Sequence, residues 1–109
     1  MIFEHMDRIV FAGDSVTDME SAQPVGEGLF ENVGKSYVRI VENMLAAFYP
    51  EVYLRVTNSG IGGNTSRDLL QRFDRDVVSL KPDWVSICIG INDCLLYTSD
   101  AADDLTRVD

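Results

Sequence analysis

RIVFAGDS, residues 8–15, carries the first strand signal of the chain and the turn that follows it. Ile9, Val10 and Phe11 form a compact apolar run closed by Gly13-Asp14, the pattern of a buried strand that ends in a turn. Ser15 then sits just past a strand end. Upstream, residues 1–7 show no basic segment followed by a longer apolar stretch and a small-residue cleavage site, so no signal peptide is read and a cytoplasmic location is expected.

Downstream, the pattern alternates. Residues 19–34 hold Pro24, Gly26, Gly28 and Gly34 and predict a surface loop, long enough to border a substrate site. Ser36 predicts the N-cap of a helix reaching Phe48, with Tyr37, Ile40, Val41, Met44, Leu45 and Phe48 as a core stripe. Pro50 stops that helix, and residues 53–57 alternate as a second strand. Gly60-Ile61-Gly62-Gly63 predicts a turn into another helix, with Leu69, Leu70, Phe73, Val77 and Leu80 on one face. Pro82 ends it. Residues 84–89 are nearly all apolar, as in a strand covered on both faces, and close at Gly90, with Cys88 expected as a small buried hydrophobe.

Strand, helix, strand, helix, strand is the pattern of a parallel sheet with helices packed on it, an α/β fold. Ligands bind such sheets at the carboxyl ends of the strands. Ser15, the 60–65 turn and Asn92 each follow a strand end, so all three are expected on one edge. A hydroxyl nucleophile, backbone N–H groups in a Gly-rich turn and a side-chain amide are the parts of an acyl-transfer site.

Composition bounds the remaining readings. A chain of 109 residues makes one domain at most. With 46% hydrophobic and 25% charged residues it reads as an ordinary folding sequence, and a net charge of −9 disfavours nucleic acid or an anionic membrane as partner. Cys88, Cys94 and a single histidine make neither a disulfide framework nor a metal site, so no metal and no cofactor are expected. The expected partner is a small-molecule ester, and no signal for oligomeric state is present.

Gly13-Asp14-Ser15, the stretch from Asn58 to Thr65 and Gly90-Ile91-Asn92-Asp93 resemble, in order, the first three sequence blocks of the SGNH (GDSL-type) hydrolases. The resemblance covers residues 8–93. It implies a three-layer α/β/α parallel sheet of flavodoxin-like type, incomplete here with about three strands, and a serine esterase that cleaves carboxylic esters, carbohydrate O-acetyl esters among them. It further implies Ser15 as nucleophile, with the backbone N–H groups of Ser15 and Gly63 and the Asn92 amide as oxyanion donors. Asp14 and Asp93 are expected to brace turns, Thr65 to cap the helix after the Gly turn, and Asn58 to position the loop. Two rival readings stand beside it. One is a non-catalytic protein that keeps the scaffold. The other is a nucleotide-binding module, although Gly60-x-Gly62-Gly63-x-Thr65 lacks the last glycine of the dinucleotide pattern and the lysine of a P-loop.

A serine nucleophile needs a base, usually histidine oriented by a carboxylate. The family carries these in a late Asp-x-x-His block that this sequence does not have, and His5 precedes the first strand, at the wrong end of the sheet. Residues 94–109 lack periodicity and resemble the translation of a sequencing adapter, so the expected organisation is residues 1–93 as the front of a hydrolase domain, and 94–109 as a non-native, disordered tail. The chain by itself is expected to be inactive.

Overall fold

A computed structural model describes residues 2–28 and 32–95. Its elements are β1 (Arg8–Gly13), α1 (Ser15–Asp18), α2 (Tyr37–Phe48), β2 (Arg55–Gly60), α3 (Ser66–Asp76) and β3 (Trp84–Cys88), with a 3-10 turn at Val78–Leu80. The strands form one parallel sheet in the order β2-β1-β3, with Arg8 opposite Arg55 and Ile9 opposite Trp84. The first strand in sequence is thus the central one.

Alternation along β1 divides the core. Ile9 and Phe11 join Val33, Val38 and Val56 on the α2 side, and Val10 and Ala12 join Leu69 and Val77 on the α3 side. This is the three-layer α/β/α arrangement, with successive strand side chains pointing to opposite faces. Ser36 caps α2 by accepting from the Val38 N–H at 3.1 Å. Thr65 and Asp68 cap α3 reciprocally, at 3.2 and 3.0 Å.

Four expectations need correction. The second strand runs from Arg55 to Gly60 rather than over 53–57, because Tyr53 takes a left-handed φ of 52°, which a strand cannot hold. In α2 only part of the apolar stripe is core: Val38 is buried and Tyr37, Val41 and Leu45 pack on it, whereas Ile40, Met44 and Phe48 lie on the flank turned from β1 and β2 and are exposed. In α3, Leu69 is 4% exposed and Leu70 is 76% exposed, so the stripe turns one residue earlier than read. Every residue of β3 is exposed, Cys88 included, because β3 packs chiefly on β1 and among the described residues no helix covers it, whereas β2, the other edge strand, is buried from Val56 onward. At its start, Trp84 packs edge-on against Phe3 at 5.2 Å and donates to Asp7 at 3.0 Å.

The predicted loop carries no helix or strand in its described part. It is held to the outer edge of β2 by a single bridge in which the Asn58 N–H donates to the Gly26 carbonyl at 2.8 Å. Next to that bridge, Glu27 accepts from Arg8 at 2.6 Å and Arg55 at 3.1 Å, which pins the loop across the amino ends of β1 and β2. Residues 96–109, most of the stretch read as a tail, lie outside the described residues. Among the described residues no helix is long and apolar enough to cross a membrane.

Two outcomes follow from this packing. Leu69→Ala should lower unfolding stability by about 2–5 kcal/mol and Leu70→Ala by no more than about 0.5 kcal/mol, measured by urea denaturation, and equal losses would contradict the placement of α3. Burial alone would raise the Glu27 carboxyl, but hydrogen bonds from Arg8 and then Arg55 outweigh it and hold the group below its usual range. A carboxyl depressed in the folded state stabilises above its unfolded pKa, about 4.3, and that contribution fades as pH falls toward the folded value. Glu27→Gln should therefore cost about 1 kcal/mol at neutral pH, with the difference in melting temperature closing on acidification through that range. A difference independent of pH would assign the loss to packing instead of charge.

Candidate active site

β1 delivers the chain to the sheet edge at Gly13 and turns it at once into α1. Asp14, 2% exposed, caps the short helix: its carboxylate accepts from the Val16 N–H at 2.9 Å, and its carbonyl accepts from Thr17 and Asp18 at 3.1 and 2.9 Å. Ser15 is exposed in the first position of α1, where a helix leaves its backbone N–H without an internal partner. Thr17, fully buried, fixes the turn laterally through a 2.9 Å hydrogen bond with the Tyr37 hydroxyl on α2. Burial pushes that phenol above its usual range.

Two glycines let the turn sit where it does. A Cβ on Gly13 would lie 2.4 Å from the Cys88 carbonyl oxygen and 2.5 Å from Thr17 Oγ1. One on Gly60 would lie 2.5 Å from the Asp18 nitrogen and 2.9 Å from the Asp14 carbonyl. Either distance is less than a side chain tolerates, so α1 rests directly on bare backbone.

Asn58, 2% exposed, links this turn to the loop. Its amide nitrogen donates to the Thr17 and Val33 carbonyls at 2.6 and 2.8 Å, and its oxygen accepts from the Gly60 N–H at 2.9 Å. Beyond Gly60 the chain folds over the end of β1: the Ile61 N–H donates to the Gly13 carbonyl at 3.0 Å, and Asn64 closes a turn back to Ile61 at 3.2 Å. Gly63 takes a φ of +82° there, a conformation that glycine adopts without strain. The turn passes close to the start of α1, since a Cβ on Gly62 would lie 3.7 Å from that of Ser15. Among the described residues, the N–H groups of Ser15 and Gly63 donate to no acceptor.

The third segment follows β3. The half-buried Asn92 donates one amide proton to the Asn64 carbonyl at 2.9 Å. Asp93 accepts from the Ser66 backbone N–H at 2.7 Å and from the Ser66 hydroxyl, at the start of α3. Those two bonds, the hydroxyl's first, hold its carboxyl below the usual range. Ser15, the Gly62-Gly63 turn and Asn92 therefore gather on one sheet edge, with Asp14 and Thr65 as caps, Asn58 beneath the loop and Asp93 tying the β3 end to α3.

Thr17, Ser59, Asn64, Ser66 and Arg72 take part without a role assigned to them from the sequence. Arg72 is 7% exposed and makes contacts across the edge. Its Nε donates to Asn64 Oδ1 at 2.6 Å, one terminal nitrogen to Ser59 Oγ at 3.1 Å, and the other to the Gly13 and Ser59 carbonyls at 3.1 and 2.9 Å. Asp76, one helical turn on, faces it at 3.3 Å, and its carboxyl is held below the usual range by Arg75 first and by Arg72 as well. The signal for Arg72 lies in its spacing: it falls on the buried stripe with Leu69 and Phe73, where a charged residue must find partners.

Among the described residues, neither a base nor a metal centre joins these groups. His5 is exposed beyond the amino end of β1, edge-on to Tyr53 at 5.5 Å. Among the described residues, no three His, Cys, Asp or Glu side chains are placed to share a metal ion.

Comparisons with known proteins agree with this geometry. An acetylxylan esterase from Geobacillus stearothermophilus is 54% identical over 87 residues, which is 80% of this chain and 40% of that protein. A crystal structure of an acetylxylan esterase from the same organism superposes with a TM-score of 0.82 at 52% identity, covering 85% of this chain and 42% of that one. Catalytic mutants of that esterase have also been solved in which a serine, an aspartate or a histidine is replaced by alanine. An alpha/beta hydrolase enzyme from the metagenome of Lake Arreo superposes with a TM-score of 0.79 at 46% identity, over 84% of this chain and 42% of that one. The chain thus spans about two fifths of the length of these relatives. The model of the GDSL-like lipase/acylhydrolase family matches residues 11–108. With most of its length matched by that model, the chain belongs to the GDSL-like lipase/acylhydrolase family.

Proposed function

We propose that this chain supplies the nucleophile and the oxyanion hole of a serine esterase that removes acetyl groups from a carbohydrate. The observation that carries the reading is the placing of an exposed serine on the first turn of α1, under a glycine turn whose own Cβ position would be 3.7 Å from it, beside an amide held by that same turn. The likeness to an acetylxylan esterase supports the substrate class. The acidic balance of the chain suits a neutral small ester better than a polyanion.

In this mechanism Ser15 Oγ attacks the ester carbonyl carbon while a base takes its proton. The carbonyl oxygen becomes an anion and accepts from the Ser15 and Gly63 N–H groups and from the second amide proton of Asn92. Collapse expels the sugar alcohol, which leaves with the proton, and water then releases acetate from Ser15. Each donor acts only where charge develops, and each contributes about 3 kcal/mol of barrier lowering. The described residues do not supply the base, because His5 stands at the opposite end of β1. A histidine oriented by an aspartate in the remaining length of the relatives fills that role.

The test is made on the protein extended over that remaining length. A fluorophosphonate should add once, at Ser15, and Ser15→Ala should abolish the adduct; an extended, folded protein that resists the reagent overturns the reading. Asn92→Ala should lower kcat on an aryl acetate by about a hundredfold or more. Unchanged turnover would remove Asn92 from the oxyanion hole.

A further inference from the structure

We infer that Arg72 is a positioning residue that sets the oxyanion hole against the nucleophile, an inference that rests on the ester-hydrolysis reading above. Its guanidinium is the point at which the three catalytic segments are joined. It donates to the carbonyl of Gly13, which immediately precedes Asp14-Ser15. It donates to the carbonyl and hydroxyl of Ser59, which precede the Gly turn. It also donates to the side chain of Asn64, whose backbone carbonyl in turn holds the Asn92 amide. One planar cation therefore spans the ends of β1 and β2 and, through Asn64, the segment that follows β3.

Stability alone does not account for it. Arg72 occupies a position on the apolar stripe of α3, where a hydrophobic side chain of similar volume would pack against Leu69 and Phe73 without taking a charge out of water. Most of its partners are backbone carbonyls and neutral side chains, with a single carboxylate, Asp76, at 3.3 Å. A group so placed gives direction more than ion-pair energy. The fork fixes angles as well as distances, because three nitrogens lie in one plane and between them reach Asn64, Ser59 and Gly13. The Gly13 carbonyl accepts from Arg72 at 3.1 Å and from the Ile61 N–H at 3.0 Å, so the cation and the Gly turn share one anchor directly beneath the nucleophile turn. A shift of Asn64 moves Gly63, its neighbour in the chain, and Asn92, its hydrogen-bond partner, together.

Lysine keeps the charge and loses the fork. On the extended esterase, Arg72→Lys should lower kcat on an aryl acetate by about a hundredfold with KM changed by less than about threefold, the cost expected when reacting groups are displaced by about 1 Å. The decisive reading is a double-mutant cycle. If Arg72 acts through the Asn92 amide, most of its penalty disappears in an Asn92→Ala background, whereas a residue that only stabilises the fold imposes the same factor in both backgrounds. Additive losses, or wild-type kcat in Arg72→Lys, overturn the inference. Should Arg72→Lys not melt cooperatively, Asn64→Ala takes its place: it removes the Oδ1 acceptor and keeps the carbonyl that holds Asn92. The same non-additive loss supports the inference, and unchanged turnover overturns it. Fluorophosphonate labelling of the unsubstituted protein separates the two levels, since no labelling there defeats the esterase reading, while normal labelling with an indifferent Arg72 defeats only the positioning role.

Discussion

Everything at the sheet edge depends on how closely α1 approaches the strand ends. The four-residue helix rests on the backbone of Gly13 and Gly60, where any side chain would meet Thr17, Asp18 or the Cys88 carbonyl at 2.4 or 2.5 Å. That approach lets the Asn58 amide reach the Thr17 carbonyl, brings the 61–64 turn over Ser15, and places the Asp14 cap within the buried layer. A serine presented in this way is exposed, with closely packed backbone beneath it. The steric constraint and the chemical one are therefore met by the same two residues.

The edge is held by polar groups inside a small apolar body. Asn58 and Arg72 are both buried, and their bonds go mainly to main-chain carbonyls and N–H groups where strands give way to turns. A buried carbonyl or N–H left unpaired costs about 1–3 kcal/mol; the Asn58 side chain supplies a partner at Thr17, Val33 and Gly60, while the Gly13 carbonyl takes Arg72 in addition to the Ile61 N–H. On the far side of the sheet, Glu27 with Arg8 and Arg55 ties the loop across the amino ends of β1 and β2 in a partly exposed setting, where an ion pair is worth less.

The order of elements, the α/β class and the gathering of Ser15, Gly63 and Asn92 were legible in the sequence because each rests on a local signal: an apolar run, a cap, a turn glycine. What escaped depends on which neighbours are present. Leu69 and Leu70 are equally apolar, and periodicity cannot say which of two adjacent positions faces the sheet. Ile40, Met44 and Phe48 continue a helical stripe that three strands are too narrow to cover, and the apolar run of β3 reads as doubly covered although it lies at an edge with both faces open. Arg72 was passed over because a charged residue on a helix suggests solvent, and its burial follows only from the crossing of strand ends distant in sequence.

The central position of β1 has a consequence for the order of events during synthesis. β1 leaves the ribosome first, yet both of its ladders are with strands that follow much later, Arg8 with Arg55 and Ile9 with Trp84. Until β3 has emerged, the central strand of the sheet can be covered on one flank only. Parallel pairing through helical crossovers makes these contacts long-range, and long-range contacts form slowly. The nascent chain therefore carries one flank of Ile9, Val10 and Phe11 unpaired until β3 has been made, and the stretch that organises the finished edge is also the one in greatest need of protection meanwhile.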